Sequence, residues 1–168
     1  MYKLAIVGGG PAGVAAGVYA SRKPLNSVLI TKDIGGQSVV SSNIQNWIGT
    51  VAISGPDLAK SLEEHLEAYA DDVLDIQKSD KVTQIEKTSE GFELTTENGE
   101  SYEAETVLIV TGARHRKLNV PGAEEFDHNG ISYCASCDGP MFSGEDMAII
   151  GGGESGFEAA TQLLGYAN

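Results

Sequence analysis

Cys134 and Cys137 are the only two cysteines of the chain, and they enclose Ala135 and Ser136 directly before Asp138-Gly139-Pro140. At the start of a helical turn, backbone N–H dipoles stabilise a thiolate, and two thiols at this spacing can cycle between dithiol and disulfide. Asp138, next to the pair, is placed to carry a proton to a departing thiolate. Two other uses of the pair stay open at this point. It could be half of a zinc site, completed by two of His65, His115 and His128, or a pair of inert buried thiols. With no second Cys pair in the sequence, redox chemistry leads and no metal is expected.

Glycine spacing is the second chemical signal. The chain holds 21 glycines in 168 residues, clustered and not periodic. Gly8, Gly10 and Gly13, within Gly8-Gly9-Gly10-Pro11-Ala12-Gly13, have the spacing of a dinucleotide-binding turn between a strand and a helix. The first allows a tight turn, the second lets a pyrophosphate approach the backbone, and the third lets the helix pack close to the strand. The helix N-terminus then offers N–H donors and the positive end of its dipole to the phosphates. Such a fingerprint requires an acidic residue about 20 residues on, to hold the adenosine ribose. Asp33 stands at that distance from Gly13, yet Thr31 occupies the strand end itself, so Asp33 reads equally as an exposed turn residue. Gly151, Gly153 and Gly156 repeat the spacing, and two dinucleotides are implied. Together with the Cys pair they give an electron path from a nicotinamide to a flavin, then to the Cys134–Cys137 disulfide and an external disulfide.

The elements that must position these residues alternate in type. Residues 3–7 read as a strand, the turn at 8–13 opens a helix, and residues 27–30 form a second strand after Pro24, a right-handed parallel β-α-β unit. Residues 33–54, rich in Gly, Ser and Asn and with Trp47 as their only large aromatic, read as a structured loop. Ser54-Gly55-Pro56-Asp57 starts a helix with Leu58, Leu62, Leu66 and Tyr69 on one face and Lys60, Glu63, Glu64 and Glu67 on a solvated one. A strand at 73–77 precedes an antiparallel meander at 82–87, 92–96 and 101–103, turned at Glu90-Gly91 and Asn98-Gly99. Residues 106–110 read as a strand buried on both faces. After a boundary near residue 113, residues 147–150 read as a strand and a helix opens behind the second glycine loop. The fold class is α/β. A Rossmann-like domain over 1–112, with a parallel sheet plus an antiparallel meander, is followed over 113–168 by the Cys-x-x-Cys segment and the incomplete start of a second Rossmann-like domain.

Charge narrows the function further. Eleven Lys and Arg stand against 24 Asp and Glu, a formal charge of −13. That balance excludes nucleic acid, whose phosphates need a basic footprint, and an anionic membrane surface. It reads as a solvated acidic surface. No apolar run approaches the ~18 residues that span a bilayer, and Met1-Tyr2-Lys3 leads straight into a strand with no signal-like segment, so a cytoplasmic location is expected.

Gly8-Gly9-Gly10-Pro11-Ala12-Gly13, Gly35-Gly36-Gln37, Asn46-Trp47-Ile48-Gly49, Thr111-Gly112-Ala113, Cys134 to Gly139 and Gly151-Gly152-Gly153 stand in a fixed order along the chain. In that order and spacing the chain resembles, over its whole length, the low-molecular-weight thioredoxin reductase family. Asn119-Val120-Pro121-Gly122 through Pro140 is also similar to the flavoprotein component of alkyl hydroperoxide reductase, which carries further N-terminal domains. The resemblance implies FAD and NADPH as cofactors, and thioredoxin or a thioredoxin-like or peroxiredoxin protein as partner, in a homodimer. It places Gly8, Gly10, Pro11, Ala12 and Gly13 on the FAD pyrophosphate, Gly36 and Gln37 along the flavin, and Asn46 at its ribityl or ring region. Val82 would meet the adenine through its backbone, Thr111 and Gly112 would close the FAD site, and Gly151, Gly153 and Ser155 would hold the NADPH pyrophosphate. Cys137 would lie nearer the flavin, Cys134 would attack the substrate disulfide, and Asp138 would be the general acid.

Two departures from that family stand in the sequence. Glu154 puts an anion within the second phosphate loop, and the basic residues that would select a 2′-phosphate are missing. From Asp146 only 23 residues follow to Asn168, counting both, against about 30 or more for a βαβ unit. The chain therefore reads as an N-terminal portion, expected to bind FAD weakly and not to turn over alone. The alternative is a non-catalytic nucleotide-binding module or partner subunit.

Overall fold

The computed structural model describes every residue of the chain except His115 and His128. It forms two compact units, Met1–Arg114 and His115–Asn168. Two of the three histidines open to the zinc alternative, His115 and His128, thus lie outside the described residues.

The first unit is built on one sheet of six strands: β1 (Tyr2–Val7), β2 (Ser27–Ile30), β3 (Leu74–Gln77), β4 (Val82–Lys87), β5 (Phe92–Thr96) and β6 (Ser101–Ile109). Their order is β3-β2-β1-β6-β5-β4. β1 lies parallel between β2 and β6, with Ile6 opposite both Leu29 and Leu108, and β3 runs parallel to β2. β5 is antiparallel to β6 and β4. Four parallel strands therefore end along one edge, where an open α/β sheet binds its ligands.

Helix α1 (Pro11–Arg22) makes the crossover from β1 to β2. Pro11 suits the first helical position, since its φ is preset and its missing N–H would have no partner there. Helix α2 (Gly55–Ala70) is capped by Ser54, whose Oγ accepts the Asp57 N–H at 3.2 Å. Both helices pack on one sheet face, where Ile6, Val14, Val18, Leu29, Leu66 and Leu74 form a buried cluster. Ala5, Val7, Val28, Ile30, Leu94 and Ala104 form a second cluster. Alternate residues of β1 and β2 fall into the two clusters, so both strands are buried on both faces, each large side chain contributing about 1.5–3 kcal/mol.

Three expectations from the sequence need correction. The strands read at 101–103 and 106–110 are one continuous strand, β6, and its C-terminal part is not buried on both faces: Ile109 is 63% exposed. Continuous apolar sequence marks two-sided burial only where both faces have a covering layer, and α1 and α2 lie over β1 to β3. Tyr69 ends its helix face exposed, its ring against His65 at 5.4 Å and under Arg22 at 5.5 Å. The loop read at 33–54 is pinned by the backbone bridge between Ile44 and Ile53, with Trp47 exposed on it. Finally, residues 147–150 form no strand: among the described residues none pairs with them, and Ile150 is 74% exposed. A strand exists only by pairing, whatever its composition.

The second unit carries one helical turn, α3 (Ala135–Asp138), a 3₁₀ turn at Gly139–Phe142, and α4 (Glu154–Leu163). Gly139 is buried, and a methyl group there would come to 2.9 Å from Leu163 Cδ2, so glycine lets the turn close on the end of α4. Among the described residues no helix is long and apolar enough to cross a membrane.

Candidate functional site

At the parallel edge of the first unit, β1 runs into Gly8, whose φ of +118° is the turn that only glycine adopts freely. Its N–H donates to the Ile30 carbonyl at 3.0 Å, and any side chain there would overlap the Val110 carbonyl and come to 3.2 Å from Thr111 Cα. Gly13 faces the same turn from α1, where a methyl group would run into the Gly8 carbonyl. Gly10 differs: nothing lies within 4 Å of a methyl group placed on it, although its φ of −69° suits any residue. The first helical bond of α1 is Val14 N–H to the Gly10 carbonyl at 3.0 Å, so the N–H groups of Ala12 and Gly13 precede the ladder. Two glycines are closed by packing and the third opens on free space at a helix start. A pyrophosphate fits that arrangement, its charge answered by N–H groups and the helix dipole.

The loop after β2 folds onto these glycines. The Gly35 N–H donates to the Gly9 carbonyl at 2.9 Å, and a methyl on Gly36, where φ is +56°, would reach 3.2 Å from Gly10 Cα. Thr31 is buried, and its hydroxyl donates to the Asp33 carbonyl at 2.7 Å. The Asp33 side chain is exposed beside the loop, and Gln37 is exposed in the 3₁₀ turn at Gly36–Val40. Thr111 and Gly112 continue from Val110, whose N–H donates to the Val7 carbonyl at 2.9 Å. Asn46 is exposed on the loop pinned by Ile44 and Ile53, and half-buried Val82 begins β4.

Asp80 is the positioning residue that the sequence reading missed. It is buried, with its carboxylate accepting the N–H groups of Lys81 at 2.8 Å and Asn98 at 3.3 Å, while its own N–H donates to the Thr31 carbonyl. Burial alone would push its pKa up. Hydrogen bonds from the Thr96 hydroxyl and from Lys81 and Asn98 outweigh that and hold the carboxyl below its ordinary range. Asp80 thereby ties the end of β2 to the Asn98-Gly99 turn, two residues before Val82. A Ser-Asp turn pair at residues 79–80, one residue short of the strand, was the available signal.

In the second unit Cys134 and Cys137 are joined by a disulfide. The N–H groups of Cys137 and Asp138 both donate to the Cys134 carbonyl, at 3.2 and 3.0 Å, which makes the turn that brings the sulfurs together. Cys134 is half-buried and Cys137 exposed, so they are not inert buried thiols. Asp138 is half-buried and accepts the Ser132 hydroxyl at 2.5 Å. The second glycine loop repeats the backbone of the first: Gly151 has φ +127°, and a methyl on Gly156 would run into the Gly151 carbonyl. Gly153 opens on free space, Glu154 begins α4, and Ser155 is exposed.

A Rossmann-like sheet with an open glycine turn, in one chain with a disulfide-forming Cys pair, is the architecture of flavin- and nicotinamide-linked disulfide oxidoreductases. The chain belongs to the pyridine nucleotide-disulphide oxidoreductase family, whose model matches residues 2–168. It is 45% identical to an NADH dehydrogenase of Bacillus subtilis over 167 residues, 99% of this chain and 32% of that protein. It is 41% identical to an alkyl hydroperoxide reductase component of Pseudomonas aeruginosa, over 98% of this chain and 32% of that protein. Among solved structures, thioredoxin reductase from Streptococcus pyogenes superposes with a TM-score of 0.88 at 40% identity, over 99% of this chain and 53% of the other. The chain thus spans about a third of the curated relatives and about half of the solved thioredoxin reductase. Family membership implies FAD and a nicotinamide nucleotide as cofactors.

Proposed function

We propose that residues 1–112 form the FAD-binding domain, and residues 113–168 the redox-disulfide segment and the beginning of the NAD(P)H-binding domain, of a thioredoxin reductase-type enzyme. In such an enzyme NADPH and FAD would supply the electrons that reduce the Cys134–Cys137 disulfide, and the reduced pair would pass them on to a protein disulfide such as that of thioredoxin. The observation that carries this reading is the Cys134–Cys137 disulfide itself, closed on a turn that ends at Asp138, in a chain whose first glycine turn is open at Gly10.

FAD would supply hydride acceptance from the nicotinamide, which no side chain of the chain provides. Gly8, Gly10, Pro11, Ala12 and Gly13 hold its pyrophosphate, and Asp33 stands beside them for the ribose. Gly36, Gln37, Asn46, Thr111 and Gly112 border the rest of the cofactor, with Val82 at the adenine. Gly151, Gly153 and Ser155 form the NADPH loop. Once the pair is reduced, Cys134 attacks the substrate disulfide, and Asp138 gives a proton to the sulfur that leaves. The whole enzyme acts as a homodimer in the cytoplasm. A second reading, reduction of a peroxiredoxin, is favoured by the 41% identity to the alkyl hydroperoxide reductase component.

The test is titration of FAD with the chain, followed through the flavin's visible absorption near ~450 nm. A saturable change in that band is expected. A spectrum identical to that of free FAD at every protein concentration overturns the proposed FAD site.

A further inference from the structure

The Ser132 hydroxyl joins both ends of the redox turn. It donates to Asp138 Oδ2 at 2.5 Å and accepts the Cys134 N–H at 3.1 Å. The backbone closes the same ring, since the Asp138 N–H donates to the Cys134 carbonyl at 3.0 Å. Cys134 therefore has its amide fixed from the side that leads into the turn, where a half-formed helix start would leave it unpaired. Asp138, four residues on, has its carboxylate folded back to the same oxygen. Ser132 is itself exposed and packs no core, so shape filling does not account for it. A carboxylate on a single turn has several rotamers, and the Ser132 hydroxyl selects one of them.

We infer that Ser132 is a positioning residue: its hydroxyl holds the Asp138 carboxyl in register with the Cys134–Cys137 pair for proton delivery. This rests on the reading of Asp138 as the acid. The step it serves is balanced. A thiolate attacks one sulfur of the pair, the S–S bond breaks, and the other cysteine leaves as a thiolate that takes up a proton. A second external thiol then resolves the mixed disulfide, so the pair is reduced to two thiols and the reagent is oxidised to a disulfide.

The test uses the 168-residue chain and dithiothreitol. Reduction of Cys134–Cys137 is followed at neutral pH by acid quench, alkylation and mass measurement. Asp138→Asn is expected to slow the reaction about tenfold or more, and Ser132→Ala by a comparable factor. Adding Ser132→Ala to Asp138→Asn is expected to slow it no further, because the hydroxyl acts through the carboxyl. Ser132→Thr, which keeps the hydroxyl, restores the rate. Hydrogen exchange at the Cys134 amide reports the clasp without reference to rate: faster in Ser132→Ala, protected in Ser132→Thr. A wild-type rate in Ser132→Ala beside a slow Asp138→Asn overturns the positioning role and leaves the acid standing. Additive slowing in the double variant overturns it as well. A wild-type rate in Asp138→Asn overturns the acid reading, and the positioning role with it.

Discussion

The two glycine loops share a backbone and differ in everything around it. Gly13 and Gly156 each sit where a methyl group would strike the carbonyl of the first glycine of their loop, and Gly8 and Gly151 both turn with strongly positive φ. Gly8, however, is locked from three sides, by the Ile30 carbonyl, by Val110 and by Gly13, because β1 has a parallel neighbour on each flank. Gly151 has nothing within 4 Å of an added methyl, and the residues before it pair with no strand among those described. A phosphate-binding turn is thus two things, a spacing of glycines and a sheet that holds the first of them still. Only the first loop has both.

Substitutions can break that contrast. The largest effect is expected from Gly13→Ala, where overlap with a fixed carbonyl should cost about 2 kcal/mol or more and abolish FAD retention, read by thermal melting and flavin absorbance. Gly10→Ala should separate binding from stability: the methyl enters free space, leaving the melting of the FAD-free chain within about 0.5 kcal/mol, while FAD affinity falls at least about tenfold. Asp80→Asn should lower the melting temperature in a pH-dependent way. Asp80 has a lowered pKa when folded, so its contribution is present above its unfolded value of 3.8 and is lost as pH falls through the folded one. The gap between wild type and variant is therefore widest near neutrality and closes in acid. Gly156→Ala is expected to change stability least, by less than about 0.5 kcal/mol, because the unrestrained Gly151 can give way. A loss there as large as at Gly13 would refute the contrast.

Much of the first unit was legible in its sequence because its signals are local. The spacing of Gly8, Gly10 and Gly13 predicted turn, opening and close approach, and each glycine meets the surroundings its role requires. Asn98-Gly99 marked a hairpin, and Ser54 marked a helix start that its side chain caps. What failed was whatever depends on a neighbour. Residues 106–110 and 147–150 have the composition of buried strands, but burial and pairing are properties of the layer beside them. Asp80 and Ser132 carried no spacing signal, since their partners Asn98 and Asp138 are met only after folding. The Cys pair was readable because its chemistry lies within four consecutive residues.

The central claim, that the first loop is a finished nucleotide cradle and the second is not, is tested most directly by calorimetric titration of the 168-residue chain with FAD and, separately, with NADPH. The account predicts weak but saturable binding of one FAD, with a Kd of about 10–100 μM, and no saturable heat from NADPH up to about 1 mM. Saturable NADPH binding, or no FAD binding, would contradict it.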